Sequence, residues 1–262
     1  MKLWTLIENT TAREDLQAEH GLSLYLETGN RKVLFDSGQT GLFKDNARKM
    51  GISLADVDTA VLSHGHYDHG GGLFTFLEEN KTAPIYASDL CFGQFYNGPT
   101  KYIGLNPLLE GNPRIRTVGD KLSLGDGMTL IPGRFVMTPR KVESYGLNFR
   151  NKHLYIPDTF LHEQYLLLEE SGKRILFSGC SHRGIVNIAE HFSPDILIGG
   201  FHFKKLDPVK DQDQLRSAAL ALMELPTTYY TCHCTGSAQY EFLKTIMGDR
   251  IHYLSTGSHL EV

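Results

Sequence analysis

Basic residues are not in excess in this chain: 26 Lys and Arg stand against 30 Asp and Glu, a formal net charge of −4 over 262 residues. Such a balance offers no general polyanion-binding surface, so DNA and bulk RNA are disfavoured as partners. No run of about 18 apolar residues occurs, so no membrane span is expected. The start, "MKLWTLIENTTARED", lacks the long apolar segment of a secretory leader. Cysteine is sparse. Cys91, Cys180, Cys232 and Cys234, without such a leader, fit reduced thiols in a cytoplasmic protein. No linker or low-complexity stretch interrupts the chain, and its length suffices for a substantial core, so a single domain over residues 1–262 is expected. A small molecule is the partner left open. What the chain does have in excess is histidine: twelve residues, more than packing and surface roles require.

Apolar periodicity outlines two similar halves. "LSLYLETGNRKVLFDSG" alternates at Leu22, Leu24 and Leu26, turns at Gly29-Asn30 and returns, which predicts a hairpin. A helix in "GLFKDNARKMGI", a short strand "DTAVLSH", a glycine-started helix "GGLFTFLEENK" and a strand "APIYAS" follow. The second half repeats the scheme. A hairpin around Ser171-Gly172 leads to helix "RGIVNIAEHF", strand "DILIGG", a helix with Asp211 or Asp213 as N-cap, strand "TTYYTCH", helix "SAQYEFLKTIMG" and a last strand "RIHYLSTG". The stretch from Cys91 to Tyr155, rich in Gly, Pro and Asn, predicts long loops with one or two strands such as "MTLIPG". Two sheets packed face to face with helices outside satisfy this order.

The chemistry concentrates at "DTAVLSHGHYDHGGG". His64, His66, Asp68 and His69 fall within six positions just past a strand. Side chains alternate along extended backbone, so His64 and His66 point the same way and can share one metal ion. Asp68 and His69 lie past the bend and can face a second. Imidazole with carboxylate suits zinc, and also iron or manganese.

The run "HGHYDHGGG" resembles the His-x-His-x-Asp-His motif of the metallo-β-lactamase superfamily. "VLFDSG" is similar to its first motif, which implies that Asp36 hydrogen-bonds a ligand histidine. "PDTFLHEQ", "LFSGCSHRGIVNI", "IGGFHF" and "CHCTGSAQ" resemble one branch, named for 7,8-dihydropterin-6-methyl-4-(β-ribofuranosyl)aminobenzene-5′-phosphate synthase. The resemblance spans roughly the whole chain. It implies an α/β fold, a four-layer αβ/βα sandwich, with one or two divalent ions at one edge between the sheets. It also implies further ligands from later strand ends: His182 and His233 first, then His202. Two positions depart from the superfamily pattern. "IPGRF" puts Arg134 where many members carry a ligand histidine, a role His182 can take over. "FSGCSH" puts Cys180 where many carry a bridging aspartate, and a thiolate there can bind zinc. Cys232 and Cys234, flanking His233 on a strand, are expected to face away from it and pack.

A metal-dependent hydrolase is the expected activity, acting on a phosphoester or similar anionic small molecule. Asp68 is then the catalytic carboxylate, orienting the attacking water or accepting its proton. Arg183, Lys204 and Lys205 follow proposed ligands and are the expected anion binders. The branch name supplies the alternative, a transferase joining a pterin methyl group to an arylamine ribose phosphate.

Overall fold

The computed structural model describes all residues, Met1–Val262. One seven-stranded sheet has the order His259–Glu261, Lys2–Ile7, Ser23–Thr28, Arg31–Phe35, Thr59–Val61, Ile85–Ser88, Ile115–Val118. The other has the order Ile251–Tyr253, Thr228–Thr231, Ile196–Ile198, Lys173–Phe177, Gln164–Glu170, Met128–Pro132, Leu122–Gly125. Each combines an antiparallel hairpin with parallel strands added beyond its second arm.

Strand alternation builds the layers. Leu24, Leu26, Val33 and Phe35 of the first sheet meet Leu166, Leu168, Ile175 and Phe177 of the second in one buried cluster. Phe35 and Phe177 face each other across it, ring centroids 5.8 Å apart. The intervening residues point outward: Tyr25 and Leu34 pack with Phe43, Ala47 and Phe76 of helices Leu42–Lys49 and Leu73–Glu79. Likewise Leu167 and Leu176 pack under helices Ile185–Phe192, Gln212–Met223 and Ser237–Met247. The result is the expected four-layer αβ/βα sandwich. None of these helices is long and apolar enough to cross a membrane.

The middle of the chain is more ordered than its composition implies. Besides the strands it lends to the main sheets, it forms a third, four-stranded sheet in the order Leu154–Pro157, Leu147–Asn151, Phe95–Asn97, Lys101–Tyr102. These strands are two to five residues long and mostly solvent-facing, so they carry little of the alternation that marks a half-buried strand. Phe95, Ile103 and Leu147 nevertheless bury a small apolar cluster with Phe160, and the sheet becomes one wall of the cavity described next.

Candidate metal centre

The parallel strands of both sheets end at the same rim, where open α/β sheets characteristically hold ligands. Asp36 follows Arg31–Phe35, and His64 follows Thr59–Val61. His182, His202 and His233 follow the ends of Lys173–Phe177, Ile196–Ile198 and Thr228–Thr231. His66 stands in extended conformation before the single helical turn Tyr67–Gly70, which carries Asp68 and His69. Gly65, between two of the histidines, has no room for a side chain: a Cβ there would lie 2.1 Å from the Cys91 carbonyl oxygen. Asp36, Phe160, Ser181, His202 and His233 all hold φ between 49° and 60°, so backbone strain gathers at this rim.

The side chains converge in three groups. His64, His66 and His182 bring ligand atoms within 4.8 Å of one another. Asp68 Oδ2 lies 3.3 Å from His233 Nε2 and 4.0 Å from His69 Nε2. Cys180 gathers with His202 and Cys234, and its Sγ is also 3.2 Å from His69 Nε2. Above them opens a cavity of about 410 Å³, whose lining includes His66, Asp68, His182, His233, Lys204 and Lys205.

The donor atoms are prepared for a cation. Nε2 of His64 and His66, and both ring nitrogens of His182 and His202, are buried without a hydrogen-bond partner, and His233 Nε2 has only the Asp68 carboxylate beside it, 3.3 Å away. Orphaned buried nitrogens are costly, and a metal ion would satisfy them. Their tautomers are fixed from behind. Asp36 accepts hydrogen bonds from Ser63 N, Ser63 Oγ and His69 Nδ1, each 2.7 Å. Because the Ser63 hydroxyl proton goes to Asp36, His64 Nδ1–H donates to Ser63 Oγ at 2.8 Å. One carboxylate thereby turns Nε2 of both His64 and His69 outward, the familiar arrangement behind metal-ligating histidines. His233 Nδ1–H donates to Asn9 Oδ1 at 2.9 Å, and Glu8 Oε1 accepts from the His233 backbone N–H at 2.6 Å.

Residues 17–233 match the metallo-β-lactamase superfamily. The chain belongs to that superfamily. It is 29% identical to the 7,8-dihydropterin-6-methyl-4-(β-D-ribofuranosyl)-aminobenzene-5′-phosphate synthase of Methanocaldococcus jannaschii, over 96% of this chain and 94% of the relative. A solved metal-dependent hydrolase of the β-lactamase superfamily superposes with a TM-score of 0.85 at 29% identity, covering 100% of this chain and 99% of the other. Zinc-bound PqqB from Methylobacterium extorquens shares the fold at a TM-score of 0.60 and 11% identity, with full coverage of both chains.

Several positions depart from the superfamily pattern in ways the structure explains. Arg134, in the place of a ligand histidine, pairs with Asp89. His182 stands beside His64 and His66 instead. Arg183 does not face the cleft, contrary to the expectation that it binds the substrate anion. Its backbone N–H donates to Glu163 Oε2, and its guanidinium is buried, donating to the carbonyl oxygens of Thr159 and Val136 at 2.9 and 3.0 Å. Cys234 does not pack away from the centre either. His233, at φ 49°, begins a 3-10 turn through Thr235, so the period-two alternation stops there. Cys232 alone stays in the inter-sheet core.

Other contacts have no local sequence signal. His20, from the loop before Ser23–Thr28, places Nε2 3.2 Å from Asp68 Oδ2. Its "His-Gly" step precedes a strand instead of following one. Asp158 and His162 lie near His66, but they satisfy each other. Gly65 N donates to His162 Nδ1 at 3.0 Å, so His162 Nε2–H donates to Asp158 Oδ2 at 3.2 Å. His162 therefore braces the loop between His64 and His66 and keeps no free nitrogen.

Burial keeps His64, His66 and His182 neutral. It pushes His64 and His182 well below the usual histidine value, and neighbouring histidines add to the effect. Burial, with His162 beside it, lowers His66 to about 3. For His69, burial is outweighed by the Asp36 and Asp68 carboxylates, which raise it to about 9. Burial would raise Asp68, but His69, His20 and His233 hold it well below the carboxylate range, so it stays ionised.

These shifts set a sign. Below about pH 6.5 the unfolded chain binds protons at His64, His66 and His182 that the folded metal-free protein refuses, in the case of His66 down to its value of about 3. Stability therefore falls as pH falls through that window, by about 1.4 kcal/mol per pH unit for each such histidine. His69 does not offset this, since its stabilising contribution is already complete below pH 6.5 and is lost only as pH rises through about 9. The metal-free protein should show a melting temperature that drops steeply from about pH 7 to pH 5. A flat profile there would contradict the buried neutral imidazoles.

Proposed function

We propose that the chain is a metal-dependent hydrolase acting on a phosphoester or similar anionic small molecule, with one or two divalent ions held at this rim. The observation that carries the reading is the set of orphaned buried nitrogens facing an ionised Asp68 beneath a lysine-rimmed cavity. His64, His66 and His182 would hold one ion, and Asp68, His69 and His233 a second, with Cys180 beside it. Zinc suits these donors best, with manganese and iron as alternatives. Such an ion lowers the pKa of water toward 7 and polarises a substrate oxygen. Asp68 orients the attacking water and accepts its proton. His20, in contact with the same carboxylate oxygen and half-exposed to the cavity, can relay that proton outward. His64, His66, Asp68, His69, His182 and His233 are themselves buried, which strengthens each of these interactions.

Lys101, Lys204 and Lys205 rim the cavity. Lys205 Nζ also donates to the Tyr145 carbonyl, which fixes its position while leaving donors for a ligand. Hydrogen bonds to charged groups contribute about 1.5–3 kcal/mol when buried and less at an exposed rim. Lys204→Ala should therefore raise KM for a phosphorylated substrate about 3- to 10-fold with little change in kcat. An unchanged KM would place the anion elsewhere.

The transferase reading is favoured by the synthase from M. jannaschii, which aligns with nearly the whole chain. A second cavity of about 460 Å³ has His162 on its wall and is lined in part by Phe92, Phe95, Phe149 and Ile156, aromatic and apolar side chains against which a planar ring could pack. The deciding experiment is phosphate release from simple aryl phosphates by the metal-loaded protein without an amine co-substrate. Release abolished by chelator supports the hydrolase. No release, with turnover only when a pterin and an arylamine ribose phosphate are both supplied, replaces it with the transferase.

A further inference from the structure

Cys234 has no part in the hydrolytic centre proposed above, yet its sulfur is placed with care. We propose that Cys180, His202 and Cys234 form a further, thiolate-rich metal position at the floor of the same cavity, taking a soft divalent cation such as zinc. The three residues come from three different strand ends, and their ligand atoms lie within 4.8 Å of one another. Two thiolates and an imidazole are a zinc donor set, with a fourth place open toward the cavity.

Four observations converge on this position. Both ring nitrogens of His202 are buried without a partner, although the ring packs edge-on against His182, centroids 4.1 Å apart. Cys234 Sγ is oriented by two backbone contacts: it accepts from His202 N at 3.2 Å and donates to the Cys180 carbonyl at 3.4 Å. The sulfur occupies space that a side chain would take, because a Cβ on Gly200 would lie 2.3 Å from it. Finally, Ser181, His202 and His233 are in the left-handed region, so each of the three ligands is itself in, or adjoins, a strained residue. Such strain persists where the surroundings enforce it, commonly at ligand clamps.

The other two cysteines differ. Cys91 and Cys232 sit in apolar clusters and belong to no group of metal-competent side chains. Cys180, within reach of His69, places the thiolate position directly against the Asp68, His69 and His233 group.

The test uses the reduced, full-length protein loaded with cobalt(II), whose thiolate coordination gives a sulfur-to-metal charge-transfer absorption. Wild type should show that absorption. Cys234→Ser should lose about half of it together with one bound ion per chain, while Cys91→Ser should change neither. His66→Ala should keep the absorption while losing an ion from the histidine group, so failure of the hydrolytic centre and failure of this position are read separately. If Cys234→Ser does not fold, X-ray absorption at the zinc edge of wild type decides, with sulfur scatterers at about 2.3 Å expected. An absorption undiminished in Cys234→Ser, no thiolate absorption in wild type, or a zinc edge with only nitrogen and oxygen neighbours would each overturn the proposal.

Discussion

Asp68→Ala should lower turnover on a phosphoester about 10²-fold or more, the range general-base catalysis contributes. The carboxylate is buried, ionised and held from three sides by His20, His69 and His233. No other carboxylate shares that position. Asp36 Oδ1 and Oδ2 are both engaged with Ser63 and His69, and Asp158 is engaged with His162 and the Phe160 N–H. Asp68→Asn keeps the shape and removes the base, so it should fall nearly as far. Metal content measured in both variants separates loss of a proton acceptor from loss of a ligand. Wild-type turnover from either variant would remove Asp68 from the mechanism.

Asp36→Ala should be the most damaging substitution away from the cavity. It strips acceptors from the Ser63 N–H, the Ser63 hydroxyl and His69 Nδ1–H at once, all fully buried or nearly so. Breaking a buried charged pair by removing one partner costs about 3–5 kcal/mol. The same change frees the tautomers of His64 and His69, and loss of such a supporting partner typically weakens metal affinity about 10- to 100-fold. Asp36→Asn retains one acceptor oxygen and tolerates the positive φ of 60° at this position, so it should recover part of the stability. Denaturant unfolding and zinc titration check the two effects separately. A variant as stable as wild type would show that the Asp36 network carries no load.

Much of the fold was legible because its signals are local. Leu24, Leu26, Val33 and Phe35 alternate as a half-buried hairpin must. The short apolar runs at Thr59–Val61 and Ile196–Ile198 read as buried strands. The third sheet was not legible, since Leu154–Pro157 is exposed at every position and the other strands are too short to show a period. At the site, His64, His66, Asp68 and His69 announce themselves by spacing. His182 and His233 follow the strand, His, Gly pattern and the family resemblance. His20 reaches Asp68 from 48 positions away, and Asn9 reaches His233 across 224. Only the tertiary fold brings such pairs together. Arg183 misled for a related reason: adjacency to His182 in sequence suggested adjacency in the cavity, but its side chain turns back to brace the Thr159 and Val136 carbonyls. Cys234 misled because alternation was extended across His233, where the backbone leaves the strand.

Whether the histidine and aspartate groups build a metal centre is tested most directly by elemental analysis of protein equilibrated with excess zinc and then dialysed. Wild type should retain at least one ion per chain at the two histidine groups, and His66→Ala and His233→Ala should each lose zinc relative to it. Retention of no ion by folded wild type, or a zinc content unchanged by both substitutions, would contradict it.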